Sequence, residues 1–272
     1  MQLTREEIRA TERAHYVMQL SSYFTELTDE AGVRFAYTSR LNDIWYNQAY
    51  DIDSTESEFD ILMNRIGKYF QGRDRTACLY LSPATNPANC AELLDNYDYA
   101  QFEIEAWMFY DLGEARSDYV QSKSITISEV TWERDFEIFA DIYRRGLPGP
   151  EVEKYIDATR DGQRYKPPLV DIRYFVGKYD GEPAGMISLL QIGRYAGVYA
   201  VATVEEFKRK GLARALNSHV CRLAITQGAE SIFLQTVSGE DAEAVFQRLG
   251  YSTLYVREGY TTSSAVKGLQ HG

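Results

Sequence analysis

The segment that most constrains the fold is a strand-like run followed by a basic turn, a glycine and an amphipathic helix. Alternating residues from Val198 to Val204 predict a β-strand. Lys208, Arg209 and Lys210 then bring three positive charges to one turn. Gly211 lets the backbone approach a ligand where a Cβ would intrude, and the helix after it would point unpaired N–H groups at the turn. This order of elements predicts a loop that binds phosphate groups at a helix N-terminus.

The charge of the whole chain makes that basic turn more informative. Basic residues before a glycine also occur on solvated surfaces, so the turn alone leaves an ordinary surface loop open as the alternative. The chain carries a net charge of −11, however, and three adjacent cations are a local reversal of sign. The same net charge disfavours nucleic acid as a partner, because its phosphates would be repelled by most of the surface.

Composition limits the class of protein. With 272 residues and 44% hydrophobic content, the chain is long enough for two modest domains or one large one. No apolar run approaches the about 20 residues that span a bilayer, and the charged start, Met1 to Ile8, does not fit a secretory signal. Three spaced cysteines and three histidines give little material for a disulfide framework or a metal site. We therefore expect a cytoplasmic protein without a membrane segment or a metal.

Helical and strand-like patterns alternate along the first half of the chain. The predicted helices cover 5–27, 54–70 and 90–96, and the predicted strands cover 33–37, 76–81 and 102–109. A segment rich in charged and small polar residues, 113–123, is the predicted linker.

After the linker the pattern starts afresh. Asp180-Gly181 gives a strong hairpin signal, because both residues accept the positive φ angles of a tight turn. The predicted strands cover 124–130, 172–178, 183–191 and 198–204, and the predicted helices cover 133–145, 212–227 and segments that begin near Pro150 and Ser238. One stripe of the 212–227 helix is apolar and is expected to dock on the sheet.

The second half of the chain resembles a known family. Lys208-x-x-Gly211-x-Ala213 resembles the Arg/Gln-x-x-Gly-x-Gly/Ala signature of the GNAT superfamily, the acyl-CoA-dependent N-acyltransferases. Val198 to Val204 is similar to the fourth strand of that family, and Leu234 to Tyr251 is similar to its fifth strand, the following helix and the closing segment. The resemblance implies an α+β fold with a mixed sheet over residues 124–262. The end of the sequence carries no pattern, and 263–272 is predicted to be a disordered tail.

A fainter resemblance covers the first half. Trp45 to Ala49, Leu81 to Pro83 and Leu93 to Tyr97 look like pieces of the degenerate first domain of tandem GNAT proteins. Residues 1–115 lack a glycine-rich basic loop. The resemblance therefore implies a GNAT-like domain that no longer binds acyl-CoA and that helps to wall the substrate cleft. An unrelated α+β domain is the alternative.

The family resemblance also implies a cofactor, acetyl-CoA, as the acyl donor. Backbone groups near Val201 and Thr203 would bind the pantetheine arm as if it were a further strand, and an N–H there would polarise the thioester carbonyl. Backbone amides of the basic turn and the helix start would hold the pyrophosphate. The cofactor-binding residues implied in this way are Val201, Ala202, Thr203, Lys208, Arg209, Lys210, Gly211, Leu212, Ala213 and Arg214.

Three positions depart from the family pattern. Lys208 replaces the usual arginine or glutamine, which keeps a positive charge but gives up the planar fork of arginine. Phe246 stands where many members have a tyrosine that protonates the departing thiolate, so that role does not carry over. Gly239 stands where an asparagine often contacts coenzyme A.

Candidates for catalysis are weaker. Tyr199 is the predicted catalytic residue, because its neighbours Ala200 and Ala202 are small and leave room for it to face the cleft. Tyr195, Tyr251, Tyr255 and Tyr260 also lie in segments that could face the cleft, and the possible bases are Glu129, Asp241 and Glu258.

The resemblance therefore implies an N-acetyltransferase that moves an acyl group, acetyl above all, from coenzyme A to a primary amine of a small molecule or peptide. A non-catalytic acyl-CoA-binding or regulatory protein is the alternative, suggested by Phe246 and Gly239. An RNA-dependent acyl transferase on the same fold is disfavoured by the charge. Either a monomer or a homodimer fits the sequence.

Overall fold

The computed structural model describes residues 2–113, 122–149, 151–165 and 167–269, and shows a mixed α/β order of elements. The helices are α1 (Arg5–Gln19), α2 (Phe59–Gln71), α3 (Cys90–Leu94), α4 (Trp132–Gly146), α5 (Val152–Gly162), α6 (Leu212–Thr226), α7 (Asp241–Arg248) and α8 (Ser263–Leu269). The strands are β1 (Glu26–Glu30), β2 (Val33–Tyr37), β3 (Gln48–Tyr50), β4 (Cys78–Leu81), β5 (Tyr99–Tyr110), β6 (Ile125–Glu129), β7 (Asp171–Tyr179), β8 (Glu182–Ile192), β9 (Tyr195–Thr203), β10 (Ser231–Val237) and β11 (Tyr251–Thr262). No helix in the described part of the chain is long and apolar enough to cross a membrane.

The chain divides into two compact units. Unit 1 contains Met1–Trp107, Gln235–Glu243 and Thr253–Gly272, and unit 2 contains Met108–Leu234 and Ala244–Ser252. These borders differ from the predicted ones, because two late segments of the chain belong with its first 107 residues. The division into domains 1–115 and 124–262 stays a prediction, and most of the predicted linker lies outside the described residues.

Unit 1 contains a sheet that its first and last segments build together. β1 and β2 form an antiparallel hairpin, β2 pairs with β3, and β3 runs parallel to β4. β11 then pairs antiparallel with β4, with Glu258 opposite Leu81. The apolar face of α2 packs on this sheet, and the Phe35 and Tyr69 rings stack at 3.9 Å between centroids. The last strand of the chain is therefore part of the core of unit 1.

The most buried charge in unit 1 is Arg257, which is 1% exposed. Its guanidinium contacts Glu105 at 2.8 Å, and its Nη1 donates a hydrogen bond of 2.7 Å to the Tyr16 hydroxyl. It also lies 4.1 Å from the centre of the Tyr80 ring and 5.1 Å from that of Trp107. A carboxylate, a hydroxyl and aromatic faces together compensate its desolvation.

Glu12 lies in the same region of unit 1 and is 2% exposed. Its Oε1 has no hydrogen-bond partner among the described residues. Burial raises the pKa of Glu12 to about 7, against the opposing effect of the Arg257 charge. Near neutral pH this side chain therefore sits close to its titration midpoint.

Unit 2 has four antiparallel strands in the order β6, β7, β8, β9, and β10 joins β9 in parallel. Asp180 and Gly181 take φ angles of 49° and 89° in the β7–β8 turn, which confirms the predicted hairpin. α6 covers one face of the sheet, where a Cβ on Gly185 would lie 2.9 Å from Leu212. α4 covers the other face, where a Cβ on Gly146 would lie 2.8 Å from that of Ala202.

Two sequence predictions need correction. α1 ends at Gln19, well short of the predicted residue 27, because the chain after it enters the β1–β2 hairpin and Thr25 donates its N–H to the Tyr37 carbonyl. The tail predicted to be disordered is helical over Ser263–Leu269. Ser263 anchors the start of that helix, since its N–H and hydroxyl both donate to the Asp98 carbonyl. Residues 270–272 lie outside the described part.

We predict that Glu12→Gln changes how stability depends on pH. The folded chain holds the Glu12 proton more tightly than the unfolded chain, whose carboxyl has an ordinary pKa near 4.5. Stability from this group is therefore fully present below pH 4.5 and is lost as pH rises through 7, by roughly 3 kcal/mol. Urea unfolding at pH 5 and pH 8 should show the wild type losing stability relative to Glu12→Gln. The exposed Glu6→Gln is the control, and parallel profiles for all three proteins would contradict the prediction.

We predict that Arg257→Met destabilises unit 1 strongly. The change leaves the Glu105 carboxylate without its buried partner, a loss that typically costs about 3–5 kcal/mol. Arg164→Met removes an exposed pair with Asp161 and should have little effect. Denaturant unfolding measures the stability of both variants. Equal stabilities of Arg257→Met and Arg164→Met would show that the buried pair of Arg257 and Glu105 contributes nothing.

Candidate functional site

In unit 2, β9 and β10 start as neighbours and then part. Their parallel pairing covers only three residue pairs, from Tyr195 with Ser231 to Gly197 with Phe233. Beyond Gly197, β9 continues to Thr203 along β8, on its other side. The backbone of 198–203 is thus left with an edge that the β10 ladder does not cover. Such an edge accepts an extended ligand as an added strand.

A β-bulge lies on this open part of β9. Ser188 pairs with Tyr199 and Met186 pairs with Ala202, so three steps along β9 match two along β8. The extra residue accompanies a positive φ of 50° at Ala200. A positive φ at a non-glycine residue is strained and tends to occur at functional sites. The bulge takes backbone groups near Val201 out of the regular ladder.

The predicted pantetheine residues follow the bulge directly. Ala202 is buried against the end of α4, whereas Val201 and Thr203 are half-buried. Val204 returns to the regular pattern, since its N–H donates to the Ala184 carbonyl at 2.9 Å. The structure brings these residues together on the strand edge that opens toward the basic loop.

The basic loop is short and well ordered by local contacts. A 3-10 turn over Glu205–Phe207 leads into it, and Lys208 forms an ion pair of 2.5 Å with Glu205. The Lys210 ammonium lies 4.9 Å from the centre of the Tyr179 ring and 5.0 Å from that of Phe207. Arg209 is exposed and has a positive φ of 63°. Cationic side chains thus flank a backbone whose turns resemble an anion-binding nest.

α6 begins directly at this loop. Gly211 is its N-cap with a φ of 83°, and no side chain caps the helix. Its first turn also lacks acidic residues. The first N–H groups of a helix have no acceptor within the helix, so the amides of Leu212, Ala213 and Arg214 face the loop with the positive end of the dipole. An anion suits this position.

Two glycines that the sequence motifs did not indicate bring α6 close to the sheet. A Cβ on either Gly177 or Gly185 would lie 2.9 Å from a methyl carbon of Leu212. The two glycines are cross-strand partners on β7 and β8. Their shared lack of a side chain seats the first residue of α6 against the sheet and fixes the helix start beside β9. The sequence alone does not reveal this pair of glycines, because their pairing depends on the register of β7 and β8.

The aromatic candidates differ in their surroundings. Tyr199 is half-buried on β9, and a Cβ on Gly197 would lie 2.6 Å from its Cζ. Tyr251 is buried, and its hydroxyl donates a hydrogen bond of 2.9 Å to Asn217. The Phe246 ring lies edge-on to Tyr251, at 5.9 Å between centroids. Tyr251 is therefore a structural residue of unit 2.

The remaining candidates have other local roles. Glu129 forms an ion pair with Arg173, and Glu258 accepts a hydrogen bond of 2.7 Å from Tyr260. Tyr255 is buried in unit 1 and stacks on Trp107. Asp241 is exposed in the first turn of α7. The structure thus unites Tyr199, the open edge and the basic loop along one continuous segment of unit 2, whereas Asp241 and Glu258 belong to unit 1.

Comparison with known proteins agrees with this arrangement. Residues 136–251 match the model of the Acetyltransferase (GNAT) family. The search of curated proteins gave no significant match. Among solved structures, a GCN5-related N-acetyltransferase from Kribbella flavida is similar over 96% of both chains, with 16% identity and a TM-score of 0.71.

Two further solved structures share the fold. A GCN5-related N-acetyltransferase from Sphaerobacter thermophilus has 14% identity and a TM-score of 0.64, over 85% of this chain and 76% of its own. A tandem GNAT protein from the clavulanic acid biosynthesis pathway has 13% identity and a TM-score of 0.63, over 85% of this chain and 78% of its own. The family match contains the strands that part, the bulge, the basic loop and the start of α6. Residues 136–251 of this chain thus match the acetyltransferase (GNAT) family, and the solved structures share its fold.

Proposed function

We propose that this protein is an N-acetyltransferase that transfers an acyl group, acetyl above all, from coenzyme A to a primary amine of a small molecule or peptide. The observation that carries the proposal is the parting of β9 from β10 beside an uncapped helix start with a basic loop. The match of residues 136–251 to the acetyltransferase (GNAT) family supports a donor derived from coenzyme A.

The residues present fit such a donor. Its pyrophosphate would meet the backbone amides from Arg209 to Arg214, with the charges of Lys208, Arg209 and Lys210 nearby. The φ of 83° at Gly211 is one that a side chain would strain. The pantetheine arm would lie along the open backbone edge of Val201, Ala202 and Thr203. Backbone amides and cations bind the phosphates of such a ligand, and an open strand edge binds its extended arm.

The donor supplies an activated thioester when bound. The protein then contributes positioning and charge stabilisation. A backbone N–H released by the bulge near Val201 would donate a hydrogen bond to the carbonyl oxygen as its charge develops. The half-buried walls of β9 would exclude water from the reacting carbon. Tyr199 is our proposed catalytic residue on this strand.

We further propose that unit 1 is a degenerate GNAT-like domain that does not bind acyl-CoA. Its parallel strands β3 and β4 correspond in order to β9 and β10, but the segments after them stay joined. Asp53 forms a parallel bridge with Asn86, whose N–H donates to the Ile52 carbonyl at 3.0 Å. The Asn86 side chain also donates to Asp53 at 2.8 Å. An extended ligand finds no open edge there.

The charge of the corresponding loop in unit 1 is reversed. Asp51, Asp53 and Glu58 follow β3, where unit 2 has three cations. The Asp51 carboxylate is 3% exposed and contacts three guanidinium groups at 2.8 to 3.2 Å. The arginines are Arg9, Arg13 and Arg34. These cations are engaged by aspartates of unit 1, which disfavours a second phosphate site.

A non-catalytic acyl-CoA-binding protein is the second candidate, because Phe246 has no proton to give to a departing thiolate. The two candidates share the binding site and differ in turnover. Release of free thiol from acetyl-CoA, measured with a panel of primary amines, separates them.

We predict that Gly211→Val weakens acetyl-CoA binding at least tenfold, whereas Gly228→Val does not. Both glycines have positive φ angles, 83° and 88°, at opposite ends of α6. The two changes therefore impose similar backbone strain, but only Gly211 lies at the proposed phosphate site. Isothermal titration calorimetry should show at least a tenfold loss for Gly211→Val, since one charge-assisted hydrogen bond contributes about 1.5–3 kcal/mol. Equal affinities in the two variants would reject the site.

We predict that one acetyl-CoA binds per chain, and that the double change Arg209→Glu and Lys210→Glu removes it. The control is Arg222→Glu, a single charge reversal at an exposed position further along α6. Calorimetry gives both the stoichiometry and the affinity. Two sites per chain, or retention of binding in the double variant with loss in the control, would contradict the assignment.

A further inference from the structure

The ring of Tyr199 lies over the α-carbon of Gly197. A Cβ built on Gly197 would stand 2.6 Å from Tyr199 Cζ, closer than any side chain tolerates. Residues two apart on a strand share a face, so the ring is folded back along β9 into the space that a side chain at 197 would fill. Gly197 is also the last β9 residue paired with β10. The ring therefore carries its hydroxyl to the point where the two strands part.

A second polar group lies on the same face. Ser188 is the cross-strand partner of Tyr199, and cross-strand partners share a face. It is 1% exposed, and its hydroxyl has no hydrogen-bond partner among the described residues. An unsatisfied buried hydroxyl is costly. Ser188 and Tyr199 thus bring two hydroxyl groups to the same face of β8 and β9, beside the bulge.

The proposed acyl transfer releases a coenzyme A thiolate, and no residue has yet been assigned to protonate it. Phe246 has no ionisable proton, and the buried Tyr251 hydroxyl is committed to Asn217. Tyr199 is the tyrosine that the geometry holds at the parting of the strands. Its position depends on the absence of a side chain at 197.

We propose that Tyr199 is the acid that protonates the departing coenzyme A thiolate, and that Gly197 is the positioning residue that lets it do so. This inference rests on the proposed acyl transfer. As the amine attacks, the new C–N bond forms, the C–S bond breaks and its electron pair stays on sulfur. The Tyr199 hydroxyl gives its proton to that sulfur, and the phenolate recovers a proton from the attacking nitrogen, directly or through water. Atoms and charge balance without a further reactant.

Kinetics of the full-length chain test this assignment, with acetyl-CoA as donor and hydroxylamine as the probe nucleophile. Thiol release is corrected for the uncatalysed rate. General acid catalysis contributes about 10²–10⁴ in rate, so Tyr199→Phe should lower kcat by at least a hundredfold while acetyl-CoA binding, measured by calorimetry, is kept. Tyr195→Phe, on the same strand and face, is the matched control and should retain kcat.

Gly197→Ala supplies a test that keeps the hydroxyl but moves it. The added methyl group displaces the ring, so kcat should fall about as far as in Tyr199→Phe, and the double variant should be no worse than either single change. Circular dichroism checks that both variants fold. The high-pH fall of kcat expected when Tyr199 loses its proton should be absent in Tyr199→Phe, a change that a structural role would not produce.

The outcomes are distinguishable. Failure of the wild type to bind acetyl-CoA would reject the proposed function itself, and the inference with it. Binding without turnover would reject the acid role and favour the binding protein. Turnover that survives Tyr199→Phe within about threefold, or additive losses in the double variant, would overturn the inference alone.

Discussion

Backbone hydrogen bonding is the constraint on which the site depends. Every N–H and C=O in a strand needs a partner, and β9 shares its ladder with β10 for only three residue pairs. From Gly197 onward, the strand edge that faced β10 is available to something other than the protein. The bulge at Ala200 and the loop after Val204 both lie on that stretch. A ligand that supplies the missing strand thus acts as part of the sheet, and the chemistry is placed by backbone geometry more than by side-chain identity.

α6 makes this open edge useful because the sheet holds the start of the helix firmly. Gly177 and Gly185 leave room for Leu212, and the ring of Tyr179 fixes the ammonium of Lys210. The positive φ angles at Arg209 and Gly211 turn the backbone toward the same point. In unit 1 the corresponding strands are followed by a hydrogen-bonded bridge and by aspartates that hold arginines. The same order of elements therefore has opposite electrostatic character in the two units.

Local signals in the sequence predicted local structure well. Asp180-Gly181 predicted the β7–β8 turn, Val33 to Tyr37 matched β2, and the strand, basic turn, glycine and helix of the second half occur in the expected order. Tyr199 and the loop residues lie along one continuous segment, but their roles stay predictions. The bulge at Ala200 has no sequence signature, because alanine rarely adopts a positive φ. Nor does composition indicate a buried Arg257, since its partners come from distant strands and helices. Long-range register, which local patterns do not contain, decides both features.

The pairing of β11 with β4 gives unit 1 an order of assembly. Arg257 reaches Tyr16 across 241 positions of sequence, and Glu258 to Thr261 complete a sheet begun near residue 26. Contacts of such separation cannot form until the later strand has been synthesised, whereas a chain usually folds from its N-terminus first. The contacts of α1 and β4 with β11 therefore form only after β11 has been synthesised. Most of unit 2 is the continuous stretch Met108–Leu234, and its remaining segment, Ala244–Ser252, precedes Arg257. The part with the basic loop can therefore gain structure before unit 1 is complete.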